Sequence, residues 1–275
     1  MQKQTTFYAV ISIFFFWGFM AASNGIFIPF CKTHFNLSQF QSQLIDSTFY
    51  GGYFIGSVLL FIYTYFFKKD FVIEHGYAKS FSIGLIISAF GALCMIPSLH
   101  IGNYGLILGS FFLIALGFSL QQTAANPFVV LLGDERTGAH RLNLAGGINS
   151  FGTTIGPLIV AYFLFGGISV ADTSKAVELK SVDTLYILLI VLFLILAFIL
   201  RSIKIEERAQ ESTEAFSFEA LKKPQLQLGM LAIFVYVGVE VTIQSNMGAL
   251  LQLPEYGSIP KEYLFPFISL YWGSL

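Results

Sequence analysis

Uncharged amides recur inside the most apolar stretches of this 275-residue chain. Asn24 lies seventeen residues beyond Phe7, deep within the first run. Ser119, Gln122 and Asn126 stand at i, i+3 and i+7, which puts them on one face of a helix. Asn149 and Thr153 are one turn apart, with Asn143 nearer one end, and Tyr236, Glu240 and Gln244 follow at i+4 steps with Asn246 close by. Each amide offers donors and acceptors to hydroxyl groups, and aromatic faces can cover a sugar ring, so these side chains suit a polyol better than an ion. Taken singly, each amide serves equally well as a hydrogen bond between helices, worth about 0.6 kcal/mol on average in membranes. Four clusters at similar depth argue instead for a shared cavity, with Asn24, Gln122, Asn126, Asn149 and Gln244 as candidate ligand contacts. Glu240 is the one acid near the centre of an apolar run, where a charge costs about 2.5–3.5 kcal/mol. It should therefore be protonated, paired or facing water, either as a titrating or ligand-binding acid or as a structural carboxyl. Asp46, three residues into the second run, reads as a solvated residue at the interface.

Other chemistries lack their residues. His34, His75, His100 and His140 fall in loops or at span ends, and no HExxH, GxSxG or P-loop pattern occurs, which argues against an enzyme. Cys31 and Cys94 lie far apart in apolar surroundings and imply neither a disulfide nor a metal knuckle, and no cofactor motif is present. A net charge of −1 without a polybasic block gives no reason to expect nucleic acid as a partner.

The elements that position these residues are dictated by composition. The chain is 55% hydrophobic, 17% aromatic and 11% charged, so most of its apolar surface must face lipid, making it an all-α membrane protein. Apolar windows predict spans near 7–31, 43–67, 80–100, 105–133, 142–166, 184–203 and 227–253. An eighth begins near Leu264 and runs to Leu275, roughly 18 Å of helix against a hydrocarbon core of ~30 Å, which predicts a sequence that stops inside a helix. Ala21-Ala22-Ser23 imitates a signal-peptidase site, but the run continues to Cys31, so the first span is expected to be retained. Lysines and arginines are uneven. Eleven (Lys3, Lys68, Lys69, Lys79, Arg136, Arg141, Arg201, Lys204, Arg208, Lys222 and Lys223) fall on one side and four (Lys32, Lys175, Lys180 and Lys261) on the other, which places the N-terminus in the cytoplasm. Residues 1–203 then form a six-helix bundle, 204–226 a charged cytoplasmic linker, and 227–275 the start of a second bundle. Within the linker, Phe216, Phe218 and Leu221 predict a short surface helix before Pro224. Gly52-xxx-Gly56, Gly105-xxx-Gly109 and Gly152-xxx-Gly156 predict close helix contacts, and Pro127 after Asn126 predicts a bend beside a wet cavity.

Several runs carry a resemblance. Phe16-Trp17-Gly18-Phe19 with Asn24 and Ile28-Pro29, then Gln41-Ser42, Phe49-Tyr50 and Gly52-Tyr53-Phe54, are similar to the first two helices of the fucose permease family, which includes glucose/galactose permeases and belongs to the major facilitator superfamily. The sharpest match is Gln122-Thr123-Ala124-Ala125-Asn126-Pro127-Phe128-Val129, followed by Leu132-Gly133, Arg141-Leu142-Asn143-Leu144-Ala145 and Asn149-Ser150-Phe151-Gly152-Thr153. Tyr236-Val237-Gly238-Val239-Glu240 and Leu270-Tyr271-Trp272-Gly273 resemble the family's seventh and eighth helices. The resemblance implies twelve helices in two halves, a bacterial cytoplasmic membrane, a central monosaccharide site and sugar import by proton symport. It departs at two positions: Gly25 and Gln122 stand where fucose permeases carry acids. Glu240, in a stretch resembling the glucose/galactose branch, becomes the first candidate for proton coupling. Facilitated uniport and a non-transporting sugar sensor are the alternatives. The loop from Lys68 to Tyr77 also lacks the superfamily's compact Gly-x-x-x-Asp-Arg pattern.

Overall fold

The structure, a computed structural model, describes residues 2–165, 179–202, 218–260 and 263–274. Among them no strand occurs, and seven helices are long and apolar enough to cross a membrane. In chain order these are α1 (Gln2–His34), α2 (Gln39–Phe67), α4 (Tyr77–Ile101), α5 (Tyr104–Leu131), α6 (Gly138–Phe165), α7 (Leu179–Ser202) and α8 (Pro224–Leu251), with a short α3 (Phe71–His75) before α4 and α9 (Leu264–Ser274) at the end. The expected spans agree with these helices, which extend a few residues further into the polar flanks. The predicted linker falls largely outside the described residues, as does Phe216. Its described end is a 3-10 helix, Phe218–Lys222, and Pro224 then opens α8.

Polar residues set where helices begin. Ser38 and Gln41 form a reciprocal capping box on α2, with Gln41 N–H donating to Ser38 Oγ at 3.2 Å and Ser38 N–H donating to Gln41 Oε1 at 2.9 Å. Asp70 accepts from the amides of Val72 and Ile73 at the start of α3. Tyr63 and Lys69 both donate to Glu74 of α3, and the Tyr63 hydrogen bond in particular holds the Glu74 carboxyl below the usual carboxylate range. Arg141 closes the other end of α5: its Nε donates to the Val129 carbonyl at 2.9 Å and its Nη2 to that of Asp134 at 3.1 Å.

Helices α1 and α6 pack together, α2 lies on α5, and α4 lies on both α5 and α7. A ladder of aromatic rings runs through the middle. Phe27 and Phe49 contact Phe111, Phe49 contacts Phe118, and Phe118 and Phe16 contact Phe193, at centroid separations of 5.5–6.4 Å. Close approach depends on glycine. A β-carbon at Gly152 would stand 2.2 Å from the Phe15 carbonyl oxygen, and one at Gly52 would stand 2.7 Å from Ala115 Cβ. The Gly105-xxx-Gly109 expectation is corrected: Gly109 faces open space, and Gly105 nears only Asn103 of its own helix cap. Helix α5 continues through Pro127 to Leu131. Outward faces of the spans carry large apolar side chains, including Phe54, Phe66, Phe90 and Phe198 at 55–74% exposure, a surface suited to lipid.

Candidate functional site

The membrane-depth polar residues separate into a joined set and an open set. The joined set lies where α1, α2 and α8 meet. Asn24 Nδ2 donates to Asp46 Oδ1 at 2.9 Å, the Ser245 hydroxyl donates to Asp46 Oδ2, and Gln43 Nε2 donates to the Ser245 carbonyl at 3.0 Å. Asn24 is 1% exposed and Asp46 4%. The expectation that Asp46 is solvated is thereby corrected. Helix α2 begins four residues before the predicted span, and α1 and α8 cover the carboxylate.

Gln244, the neighbour of Ser245, is 1% exposed, and neither its Oε1 nor its Nε2 has a hydrogen-bond partner. Its amide occupies the space beside Gly25, where a β-carbon would come within 2.6 Å of Nε2 and 3.1 Å of Ile268 Cδ1. Gly25 thus makes room for an amide from α8. A cavity of about 360 Å³ adjoins this junction, lined by Gly25, Lys32, Gln39, Ser42, Gln43, Ser245 and Gln252 among others.

The open set lies on α5 and α6. Gln122 is half-buried and Asn126 exposed, and neither hydrogen-bonds to another described residue. Ser119, predicted to share their face, is instead buried against α2, donating to the Tyr53 carbonyl and meeting Ser57 Oγ at 3.1 Å. Asn149 is half-buried, with Nδ2 donating to the Phe14 carbonyl of α1 at 3.0 Å, so one arm of its amide ties α6 to α1. Glu240 is partly exposed on α8, in reach of the Tyr236 hydroxyl at 3.4 Å, while its carbonyl accepts from the Tyr271 hydroxyl at 2.9 Å.

Sequence reasoning missed Asp46, Gln43, Ser245 and Gln121. The last is fully buried, accepting from Trp17 Nε1 at 3.3 Å and donating to Ser88 Oγ at 3.2 Å, and so links α1 to α4 through α5. The adjacent Gln122 points elsewhere, and nothing local in the sequence separates the two. Asp46 did carry a signal, being an acid seven residues inside a helix that Ser38 and Gln41 visibly start.

Apart from Gln227, whose Nε2 donates to the Leu221 carbonyl at 2.8 Å, helix α8 is covered by the rest of the molecule only from Glu240 onward. From Pro224 to Val239 every residue is exposed, whereas Gln244 and Gly248 are buried against α1. Helix α8 therefore meets α1 and α2 near the end where α1 finishes and α2 begins, and its residues 224–239 are exposed.

These features, apolar spans joined around a polar centre, are those of a membrane transporter fold, and the chain belongs to the Major Facilitator Superfamily, which residues 9–272 match. It is 34% identical to a glucose/galactose transporter of Brucella abortus over 265 residues, 95% of this chain and 62% of that protein. It is 31% identical to the L-fucose-proton symporter of Escherichia coli K12 over 262 residues, 88% of this chain and 58% of that protein. A crystal structure of the E. coli fucose:proton symporter, FucP, is similar with a TM-score of 0.68 at 26% identity, covering 98% of this chain and 68% of that one. The expected all-α membrane architecture and family resemblance agree with these findings. The chain thus spans about three fifths of the length of the two relatives matched in sequence.

Proposed function

We propose that this protein is a secondary active importer of a monosaccharide, working by proton symport and alternating access. The observation that carries the reading is the arrangement of α8, closed on α1 and α2 by polar contacts at one end and free of them at the other. Such an interface is what a rocking carrier opens and closes around a central ligand. The relatives' names supply the ligand class and the coupling ion, since one transports glucose and galactose and another carries L-fucose with a proton. The excess of eleven of the fifteen lysines and arginines on one side supports a cytoplasmic N-terminus, the relatives' bacterial sources support a bacterial inner membrane, and on this reading the closed end faces outward.

Gln122 and Asn126 contact sugar from the open face, Asn24 and Gln244 from the junction, and Asn149 with the amide arm that α1 leaves free. The orphaned amide of Gln244 fits this role well, because a buried polar group without a partner costs about 1–3 kcal/mol that a ligand hydroxyl can recover. Glu240 is the coupling carboxylate, partly exposed on α8 and near Tyr236. The test is uptake of radiolabelled fucose, glucose, galactose and N-acetylglucosamine by the full-length protein in liposomes under an inward proton gradient. Uphill accumulation of one sugar that a protonophore collapses is expected. Neither accumulation nor exchange of any of the four would overturn the proposal, and equilibration without accumulation would select uniport.

A further inference from the structure

The buried Asp46 carboxylate is absorbed by none of the roles above. It lies roughly 10 Å along α2 from the first residue of that helix, is 4% exposed, and joins three helices through Asn24 and Ser245. Its partners are both neutral donors. The titratable and charged groups facing this region can be named element by element. On α2, Tyr50 follows one turn later, within electrostatic reach of both Asp46 and Glu240. On α8 there is Glu240 itself. On α1, Lys32 is held by Gln39 at 2.5 Å and His34 stacks on Phe30. On α5, the Tyr104 hydroxyl donates to the Gln41 carbonyl. Among the described residues, no cation pairs with Asp46.

A carboxylate removed from water without a countercharge is strongly disfavoured in its ionised form, whereas a neutral carboxyl can keep both contacts by accepting from Asn24 and sharing a hydrogen bond with Ser245. Parting of α8 from α1 and α2 would return the group to water, where it ionises. We infer that Asp46 is a proton-binding residue of the outer gate, neutral while α1, α2 and α8 are joined and ionised when they separate. Closing the gate therefore takes up one proton from the outer solution, and opening it returns one. On the transport reading, on which this inference rests for its use, a loaded carrier closes to the outside only after a proton has bound, which is the step a symporter requires. Gly25 belongs to the same device. Its missing side chain lets the Gln244 amide of α8 close beside Asn24 while the Asp46 carboxylate reaches Asn24 from α2.

The test does not depend on knowing the sugar. In full-length protein in nanodiscs, with Cys31→Ala and Cys94→Ala, spin labels at Thr33→Cys and Gln252→Cys report the distance between the outer ends of α1 and α8 by double electron–electron resonance. Raising the pH from about 5 to about 8, across the range in which a shifted carboxyl would titrate, is expected to enlarge the separated population by about threefold or more. Asp46→Asn, permanently neutral and nearly isosteric, is expected to stay joined at both pH values. Ser245→Ala, which removes a partner only from the joined state, is expected to move the midpoint of the response. A wild-type distance that ignores pH, a pH response that survives in Asp46→Asn, or an unmoved midpoint in Ser245→Ala overturns the inference. Should Asp46→Asn fail to fold, the Ser245→Ala midpoint decides alone. A pH-dependent gate in a protein that moves no sugar would sink the transport reading and leave this one standing.

Discussion

Two groups of amides within the apolar spans behave differently in this molecule. At the α1, α2 and α8 junction, Asn24 and Gln43 are consumed by specific partners, Asp46 and the Ser245 carbonyl. On the face of α5, Gln122 and Asn126 reach no described partner and stand open. Residue type is the same in both places, and what differs is which helix covers the amide. A polar side chain at this depth must be satisfied by protein, water or ligand. At the junction protein satisfies the Asn24 and Gln43 amides but not that of Gln244, and on the face of α5 the Gln122 and Asn126 amides meet no described partner.

The largest effect expected from breaking this division is at Glu240, where the open cleft meets α8. Glu240→Gln should abolish gradient-driven accumulation while leaving sugar exchange largely intact, as counterflow and uphill uptake in the same liposomes would show. Undiminished accumulation would remove Glu240 from the coupling role. Next comes the junction itself. Gly25→Val places a β-carbon against Gln244 Nε2 and Ile268, and overpacking of this kind costs about 1–3 kcal/mol. A lowered thermal midpoint in detergent is therefore expected, while Gly238→Ala, facing open space on α8, should be neutral or stabilising. An unchanged midpoint for Gly25→Val would show that the junction is looser than drawn. A smaller effect is expected on the open face. Gln122→Ala and Asn126→Ala should each weaken sugar affinity by about fivefold, equivalent to ~1 kcal/mol for one lost hydrogen bond, with no measurable change in thermal midpoint. Affinity unchanged in both would make them ordinary surface amides. The smallest effect belongs to Lys69→Ala on the α2–α3 loop: its ion pair with Glu74 at 3.1 Å is exposed and screened by water, so the thermal midpoint in detergent should not measurably move.

Much of this architecture was legible in the residues, and the limits have physical causes. Long apolar runs specify spans because an unpaired backbone in lipid leaves no alternative to helix, and the seven helices stand where those runs are. Close packing at Gly52 and Gly152 followed from spacing, but the same spacing at Gly105 and Gly109 meets open space, since glycine permits approach without requiring it. The depth of Asp46 was misjudged because the helix starts at its polar cap rather than at its first apolar residue. Its partners lie 22 and 199 positions away in sequence and cannot be paired by inspection. Gln121 and Gln122 show the same limit at one-residue resolution: a rotation of 100° decides which amide is buried against Trp17 and Ser88 and which is open.

The division between gate and path is tested most directly by the reactivity of the open face. In full-length protein with Cys31→Ala and Cys94→Ala, the rate at which a maleimide modifies Asn126→Cys would be measured with and without a saturating concentration of the transported sugar. If Gln122 and Asn126 line the ligand's route, bound sugar slows the modification severalfold, while a sugar that is not transported has no effect. Equal rates under all three conditions would contradict the account.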